Sequence, residues 1–344
     1  MDMKKPFFHK GRFYNHEHDS LKERLWNMVK TYGHIAKQRL SGQGNTKVLL
    51  GNEDIKRWVV NDVLHSNHED LLITWLGHAT FLIQTHGLNI LTDPVFYEIS
   101  SFTARFSKIP ALPHQLPPID AVLISHNHQD HLDERSVLTL KKNFNPSFYV
   151  PQGCAKWFSK RGITNVFEAT WWDKITFSKE DKTAELAFLP AFHWAGRNPF
   201  NLNKTLWGSW MITNNDQNIY FAGDTAYAKH FTLIKEQYPN IDVALLPIGP
   251  NEPRELLYDT HLSSEEAVQA FLDLGAKHFI PMHWATFHLG IDPFIAPLKR
   301  LCFHWNTRAE HLKSKVLHIV KCGEQRNFHD IIKAACARRK EGIF

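Results

Sequence analysis

The sequence predicts an α/β sandwich, two mixed β-sheets packed face to face with helices outside, and three observations carry that expectation. Of 344 residues, 43% are hydrophobic and 22% charged, with Gly and Pro at 17 each, which excludes disorder, collagen and coiled coil. From residue 71 short apolar runs form first a meander and then alternate with helical patterns. The chain also exceeds the roughly 250–300 residues that one core usually serves, so an extension beside a large layered domain is expected.

The first element in chain order is a helix. Ser20 and Glu23 make a Ser-x-x-Glu start signal, and Leu21, Leu25, Met28, Val29, Tyr32, Ile35 and Ala36 keep helical spacing opposite Lys22, Lys30 and Lys37. Ser41-Gly42-Gln43-Gly44-Asn45 ends it as a linker. The meander is Leu72–Leu76, Phe81–Ile83 and Asn89–Leu91, with a turn at His86-Gly87. Further strands are expected at Ala121–Ile124, Leu186–Leu189, Ile219–Ala222, Val243–Leu246 and Phe279–Met282. Helices are expected over 133–142, 154–161, 228–237 and 263–274, the last opened by Ser263 and Glu266. The expected division is a basic helical extension over 1–68, the sandwich over 69–330 and a basic tail over 331–344.

No run approaches the roughly 18 apolar residues of a membrane span, and Met1–Phe8 lacks the pattern of a signal peptide, so a cytoplasmic protein is expected. Cys154, Cys302, Cys322 and Cys336 form no Cys-x-x-Cys pair, which argues for reduced, mostly buried thiols and against a zinc ribbon or disulfide framework. The net charge of +5 is concentrated in residues 1–40, where nine Lys/Arg face four Asp/Glu; Lys333, Arg338, Arg339 and Lys340 form a second basic spot. Such clusters attract phosphate-bearing surfaces, and they also suit a solvated helix face or an arm on a neighbouring subunit. Peripheral membrane contact through the basic helix and a homodimer are the partner expectations.

The chemistry concentrates in Ser125-His126-Asn127-His128-Gln129-Asp130-His131, after a four-residue apolar strand and before a helix. On an extended segment His126 and His128 project to one side, and the turn that follows lets Asp130 and His131 face a nearby point. Four such donors within six residues suit zinc or another first-row divalent ion. Three more donors each end an apolar strand: His193, Asp224 and His283. His78 and Asp93 also end strands beside the site and are expected to orient donors rather than bind metal. His16 and His18 share the His-x-His spacing without the preceding strand or the following Asp-His, and are read as decoys.

The chain resembles the metallo-β-lactamase superfamily, and within it the branch of N-acyl-phosphatidylethanolamine-hydrolysing phospholipases D. The resemblance rests on Thr74-Trp75-Leu76-Gly77-His78-Ala79-Thr80, Leu91-Thr92-Asp93-Pro94 and the run from Leu116 to His128. It continues through Trp171-Trp172, His193-Trp194, Leu206–Trp210, Phe221–Thr225, Pro247-Ile248-Gly249, Glu252-Pro253-Arg254 and His283-Trp284, spanning roughly residues 70–327. It implies an αββα sandwich of that type holding two zinc ions, or another first-row metal. His126, His128 and His193 would hold one, Asp130, His131 and His283 the other, and Asp224 would bridge them. It further implies attack of a metal-bridging hydroxide on phosphorus, with catalytic roles for Asp130 and His261. His261 matches a family histidine near the phosphate, able to bind a phosphate oxygen or protonate the leaving alkoxide.

Three functions follow in order of expectation. The first is hydrolysis of N-acyl-phosphatidylethanolamine to phosphatidic acid and N-acylethanolamine. The second is a soluble hydrolase of a sugar-phosphate lactone or other small phosphoester. It draws on Pro250-Asn251-Glu252 and Glu255-Leu256-Leu257, which depart from the resembled pattern near the presumed acyl pocket. A nuclease is disfavoured, because no basic Gly-rich insertion separates the ligand motifs. The tryptophans at 171, 172, 194, 207, 210 and 284 are expected mainly in the core.

Overall fold

Side-chain alternation along the strands decides the layers. In β4 (Thr80–Thr85), Phe81 and Ile83 join one buried cluster and Leu82 another. The same split recurs in β5 (Leu88–Thr92), where Ile90 and Leu91 diverge, and in β6 (Ala121–Leu123), where Leu123 and Val122 do. The first cluster joins the two sheets, because it also collects Phe188, Trp210, Phe221 and Ile280 from the second, and it continues beneath that sheet's outer helices through Phe231, Phe271 and Leu301. The other lies beneath the outer helices and takes in Val137, Leu140 and Phe158.

The computed structural model describes residues 3–16, 19–41, 55–60, 71–100, 103 and 105–328. His18, the linker from Gly42 onward, Cys336 and the basic tail over 331–344 lie outside the described residues. One seven-stranded sheet runs β16–β3–β4–β5–β6–β7–β8, with β3 Leu72–Gly77, β7 Ser147–Pro151, β8 Val166–Ala169 and β16 Gln325–Asn327. The other runs β15–β14–β13–β12–β11–β10–β9. Its members are β9 Lys174–Lys179, β10 Lys182–Leu189, β11 Ser209–Asn214, β12 Gln217–Phe221, β13 Val243–Pro247, β14 His278–Met282 and β15 Val316–Leu317. Outer helices cover both faces: α2 (Glu134–Phe144) and α3 (Ala155–Ser159) on the first, α4 (His230–Gln237), α6 (Ser264–Leu274) and α7 (Ala296–Thr307) on the second. The expected sandwich, with two mixed sheets, is the observed fold.

Helix ends follow local chemistry. Asp133 accepts from the Ser136 amide at the start of α2, and Ser263 with Glu266 forms the expected capping box of α6. Cys154 and Cys322 are buried free thiols and Cys302 is a half-buried one.

Strand direction gathers the site. Because β4 reverses between β3 and β5, and β5 pairs parallel with β6, the C-terminal ends of β3, β5 and β6 share one edge. Likewise β11 reverses between β10 and β12, and β12, β13 and β14 run parallel.

The N-terminal segment is more than a helix. A hairpin of β1 (Phe7–His9) and β2 (Arg12–Tyr14) precedes α1 (Leu21–Leu40), and Met3 and Phe13 are buried in the first cluster. Its strands are three residues each, too short for a period to register. Helix α1 packs alongside α5 (Arg254–Leu257) and exposes Trp26, Val29, Lys22 and Lys30. Val29 and Ala36, expected on its apolar face, are exposed. Among the described residues no helix is long and apolar enough to cross a membrane.

Candidate metal centre

The loop after β6 brings His126, His128, Asp130 and His131 to the shared edge, where His193 arrives after β10, Asp224 after β12 and His283 after β14. Donor atoms of His126, His128, His193 and Asp224 lie within 4.8 Å of one another, as do those of His78, Asp130, His131 and His283. Asp224 joins the two groups. Its Oδ1 is 3.1 Å from His283 Nε2, and its Oδ2 is 3.3 Å from His131 Nε2 and 3.8 Å from His193 Nε2. His261 adds Nδ1 at 3.7 Å from Asp224 Oδ2. Asp93 groups with His126 and His131, so all ten site residues read from the sequence converge, and His78, expected only as an orienter, stands among the second group.

Three of the inward-facing rings are held by their other nitrogen. His131 Nδ1 lies 2.7 Å from Asp93 Oδ2, His126 Nδ1 2.9 Å from Ser125 Oγ, and His193 Nδ1 2.7 Å from the Thr260 carbonyl. Such partners fix the tautomer that leaves Nε2 with a lone pair toward the site. Asp93 also accepts from the Ser125 amide at 2.7 Å and hydroxyl at 2.5 Å. His78 Nε2 is 3.0 Å from Asp130 Oδ2.

Backbone strain concentrates here. His78, Asp93 and His283 are left-handed with φ 52°, 31° and 64°. Gly223 is left-handed as well, and a Cβ there would meet Ser125 Cβ at 2.5 Å, so only glycine lets Asp224 approach the His126 loop.

Burial pushes the His126 imidazole well below its usual range and brings His128, His193, His78 and His261 down to about 3, so all five are neutral and free to act as ligands. Burial works to raise Asp130 and Asp224, but the facing imidazoles, His131 foremost, hold both well below the carboxylate range. His131 is itself drawn well above its usual range, because Asp224 and Asp130 outweigh its burial.

The buried ligand atoms that make no well-directed hydrogen bond include His128 Nε2, His131 Nε2, His283 Nε2 and Asp224 Oδ1, close as the last three lie to one another's residues. Leaving such groups unpaired is costly, whereas a divalent cation would satisfy the lone pairs and the carboxylate charge at once. The residues fit a divalent metal site on that ground.

Several supporting residues carried no sequence signal. Tryptophan indoles tie the strand ends: Trp75 donates to the His78 carbonyl at 2.9 Å, Trp210 to Ile124 at 2.9 Å and Trp207 to Ala191 at 3.1 Å. Trp75, Trp171, Trp207, Trp210 and Trp284 are core residues, as expected, yet these indoles end on carbonyls at or within two residues of the site. The Arg197 guanidinium donates to the Asn127 and Leu132 carbonyls at 3.2 and 2.7 Å, joining the His193 loop to the His126–His131 loop. Asn251, among the departures from the resembled pattern, turns inward: its Oδ1 accepts from the Ser264 amide at 2.8 Å and its own amide donates to Asp292 at 2.7 Å.

Fold and site together define a metal-dependent hydrolase of the metallo-β-lactamase type. A model of the Beta-lactamase superfamily domain matches residues 88–284. The chain is 34% identical over 280 residues to N-acyl-phosphatidylethanolamine-hydrolyzing phospholipase D 1 of Caenorhabditis elegans, covering 77% of this chain and 78% of that protein. It is also 34% identical to the mitochondrial N-acyl-phosphatidylethanolamine-hydrolyzing phospholipase D of Saccharomyces cerevisiae, covering 66% of this chain and 50% of that one. A metallo hydrolase from Ignicoccus hospitalis superposes with TM-score 0.57 at 21% identity, over 76% of this chain and 99% of its own, which speaks to the fold. The chain belongs to the N-acyl-phosphatidylethanolamine-hydrolysing phospholipase D branch of the metallo-β-lactamase superfamily.

Proposed function

We propose that the protein is a di-zinc phosphodiesterase of phospholipase D type, converting N-acyl-phosphatidylethanolamine and water to phosphatidic acid and N-acylethanolamine. The observation that carries this reading is the pair of donor groups joined by Asp224, in a chain one-third identical to two proteins named for that reaction. His126, His128 and His193 would hold one ion, Asp130, His131 and His283 the other, with Asp224 shared. Two close divalent ions, when bound, lower the pKa of water and neutralise charge on the entering and leaving oxygens.

The chain's own residues do the rest. Asp130, kept ionised, takes the proton that the attacking water gives up. His261, neutral at physiological pH, donates a hydrogen bond to a phosphate oxygen and relays to the departing ethanolamide oxygen the proton that Asp130 accepted, returning to its neutral form. His78 holds Asp130, and Asp93 holds His131. The water oxygen bonds to phosphorus as the bond from phosphorus to the ethanolamide oxygen breaks.

A bilayer-resident substrate asks for membrane contact, and α1 offers exposed Trp26 and Val29 beside Lys22 and Lys30. Vesicle flotation at low salt would detect it.

The test is turnover of N-acyl-phosphatidylethanolamine in mixed micelles in ¹⁸O-water. The label is expected in phosphatidic acid, with N-acylethanolamine unlabelled. Label in the ethanolamide, or turnover confined to water-soluble phosphoesters, would overturn the assignment.

A further inference from the structure

The N-terminal hairpin crosses the loop that carries His193. Asn15 makes two hydrogen bonds to that residue's backbone: its Nδ2 donates to the His193 carbonyl at 2.9 Å, and its Oδ1 accepts from the His193 amide at 3.2 Å. One side-chain amide thus reproduces the donor–acceptor pair of a neighbouring strand, across 178 residues of chain. Asn15 is 2% exposed, so neither bond is shared freely with water.

The contact is not isolated. The Phe13 amide donates to the Asn203 carbonyl at 2.8 Å, and the Arg12 guanidinium donates to the Leu202 carbonyl at the far end of the same loop. Trp172 Nε1 donates to the Met3 carbonyl at 3.0 Å, and Met3 and Phe13 are buried in the main hydrophobic cluster. The His193 ring is fixed by Thr260, but the backbone that carries the ring follows β10 in a loop with no strand partner among the described residues. Asn15 supplies the pairing that the sheet does not.

We propose that Asn15 is a positioning residue for the metal centre, and that residues 3–16 act as a strap holding the His193 loop in its ligating conformation. The proposal rests on the reading of His193 as a metal ligand. A ligand whose supporting hydrogen bonds are lost typically costs ten- to a hundredfold in metal affinity. The cost should fall on one ion, because Asn15 bonds the backbone of His193, which is read as a ligand of the first ion alone.

The experiment is metal retention by the full-length protein against a graded chelator, in wild type, Asn15→Ala and Asn15→Asp. The aspartate keeps the acceptor for the His193 amide and sets a negative charge against its carbonyl. Melting of the metal-stripped proteins runs in parallel. Expected is one ion of two released at roughly ten- to a hundredfold lower chelator strength in both variants, with the second held as in wild type. The metal-free variants should melt within a few degrees of metal-free wild type.

Equal retention of both ions overturns the proposal. So does equal weakening of both, or loss of folding in both variants, since either makes Asn15 a general stability residue. His193→Ala separates the premise from the strap: if that variant keeps two tightly held ions, the ligand reading of His193 fails, whatever Asn15 does.

Discussion

The two ends of the sandwich use the same unusual backbone for opposite purposes. At the end away from the site, the left-handed residues His86-Gly87, Glu180 and Asn215-Asp216 sit in two-residue turns between β4 and β5, β9 and β10, and β11 and β12. Such turns match the twist of antiparallel strands, and Gly, Asn and Asp adopt them at little cost. At the site end, left-handed geometry falls on His78, Asp93 and His283, and it turns their side chains back over the strand ends. Hydrogen bonds hold them there. The His78 amide donates to Thr286 Oγ1 at 2.7 Å, and the His78 carbonyl accepts from Trp75 and from the His283 amide. One end closes the chain economically, while the other keeps strain and unpaired donors where a cation would relieve them.

Breaking that contrast at the site end should give the largest effect. Asp93→Ala frees Ser125 and His131 from their shared acceptor, and metal affinity should fall about ten- to a hundredfold in a chelator competition. Unchanged affinity would mean that His131 needs no such support. Next comes Trp210→Phe, which keeps the ring and removes the donor to Ile124. It should cost about 1–3 kcal/mol in denaturant unfolding, because a buried carbonyl is left unpaired.

Acid sharpens the comparison through a buried histidine that is no ligand, read as the difference between variant and wild type. His230, at the start of α4 and bonded to Thr225, is fully buried and brought down to about 3 from 6.5. Its folded pKa lies below its unfolded one, so its contribution is complete above pH 6.5 and is lost as pH falls toward 3. The slope is at most about 1.4 kcal/mol per pH unit. Melting of His230→Gln should fall less steeply through that window than wild type, and parallel curves would contradict the assignment. The smallest effect belongs to the far end. Asp216→Gly removes an exposed side chain from a left-handed position, so stability should stay within about 1 kcal/mol and activity should not change.

The sequence carried one half of the site openly. His126, His128, Asp130 and His131 lie within six residues, so spacing alone joins them. His193, Asp224 and His283 were legible because each ends an apolar strand, and parallel strand ends share an edge. Asn15, Thr260 and Arg197 left no trace, because each acts through hydrogen bonds made to or by backbone groups, which residue spacing does not record. The hairpin of β1 and β2 was invisible for the same reason, its strands being shorter than one readable period. Edge strands β9 and β16 were missed because exposed Lys, Ser, Gln and Arg replace the apolar alternation. Near 250–257 the departures pointed to an altered pocket, whereas Asn251 braces the start of α6.

The most direct measurement is metal content by plasma mass spectrometry on purified wild-type protein beside Asp224→Ala, with activity on N-acyl-phosphatidylethanolamine in both. Two zinc ions per chain are expected in wild type, and in the variant loss of metal together with activity, because the carboxylate shared by both donor groups is gone. Wild-type protein that binds no metal after zinc loading, or a variant that keeps two ions and full activity, would contradict that expectation.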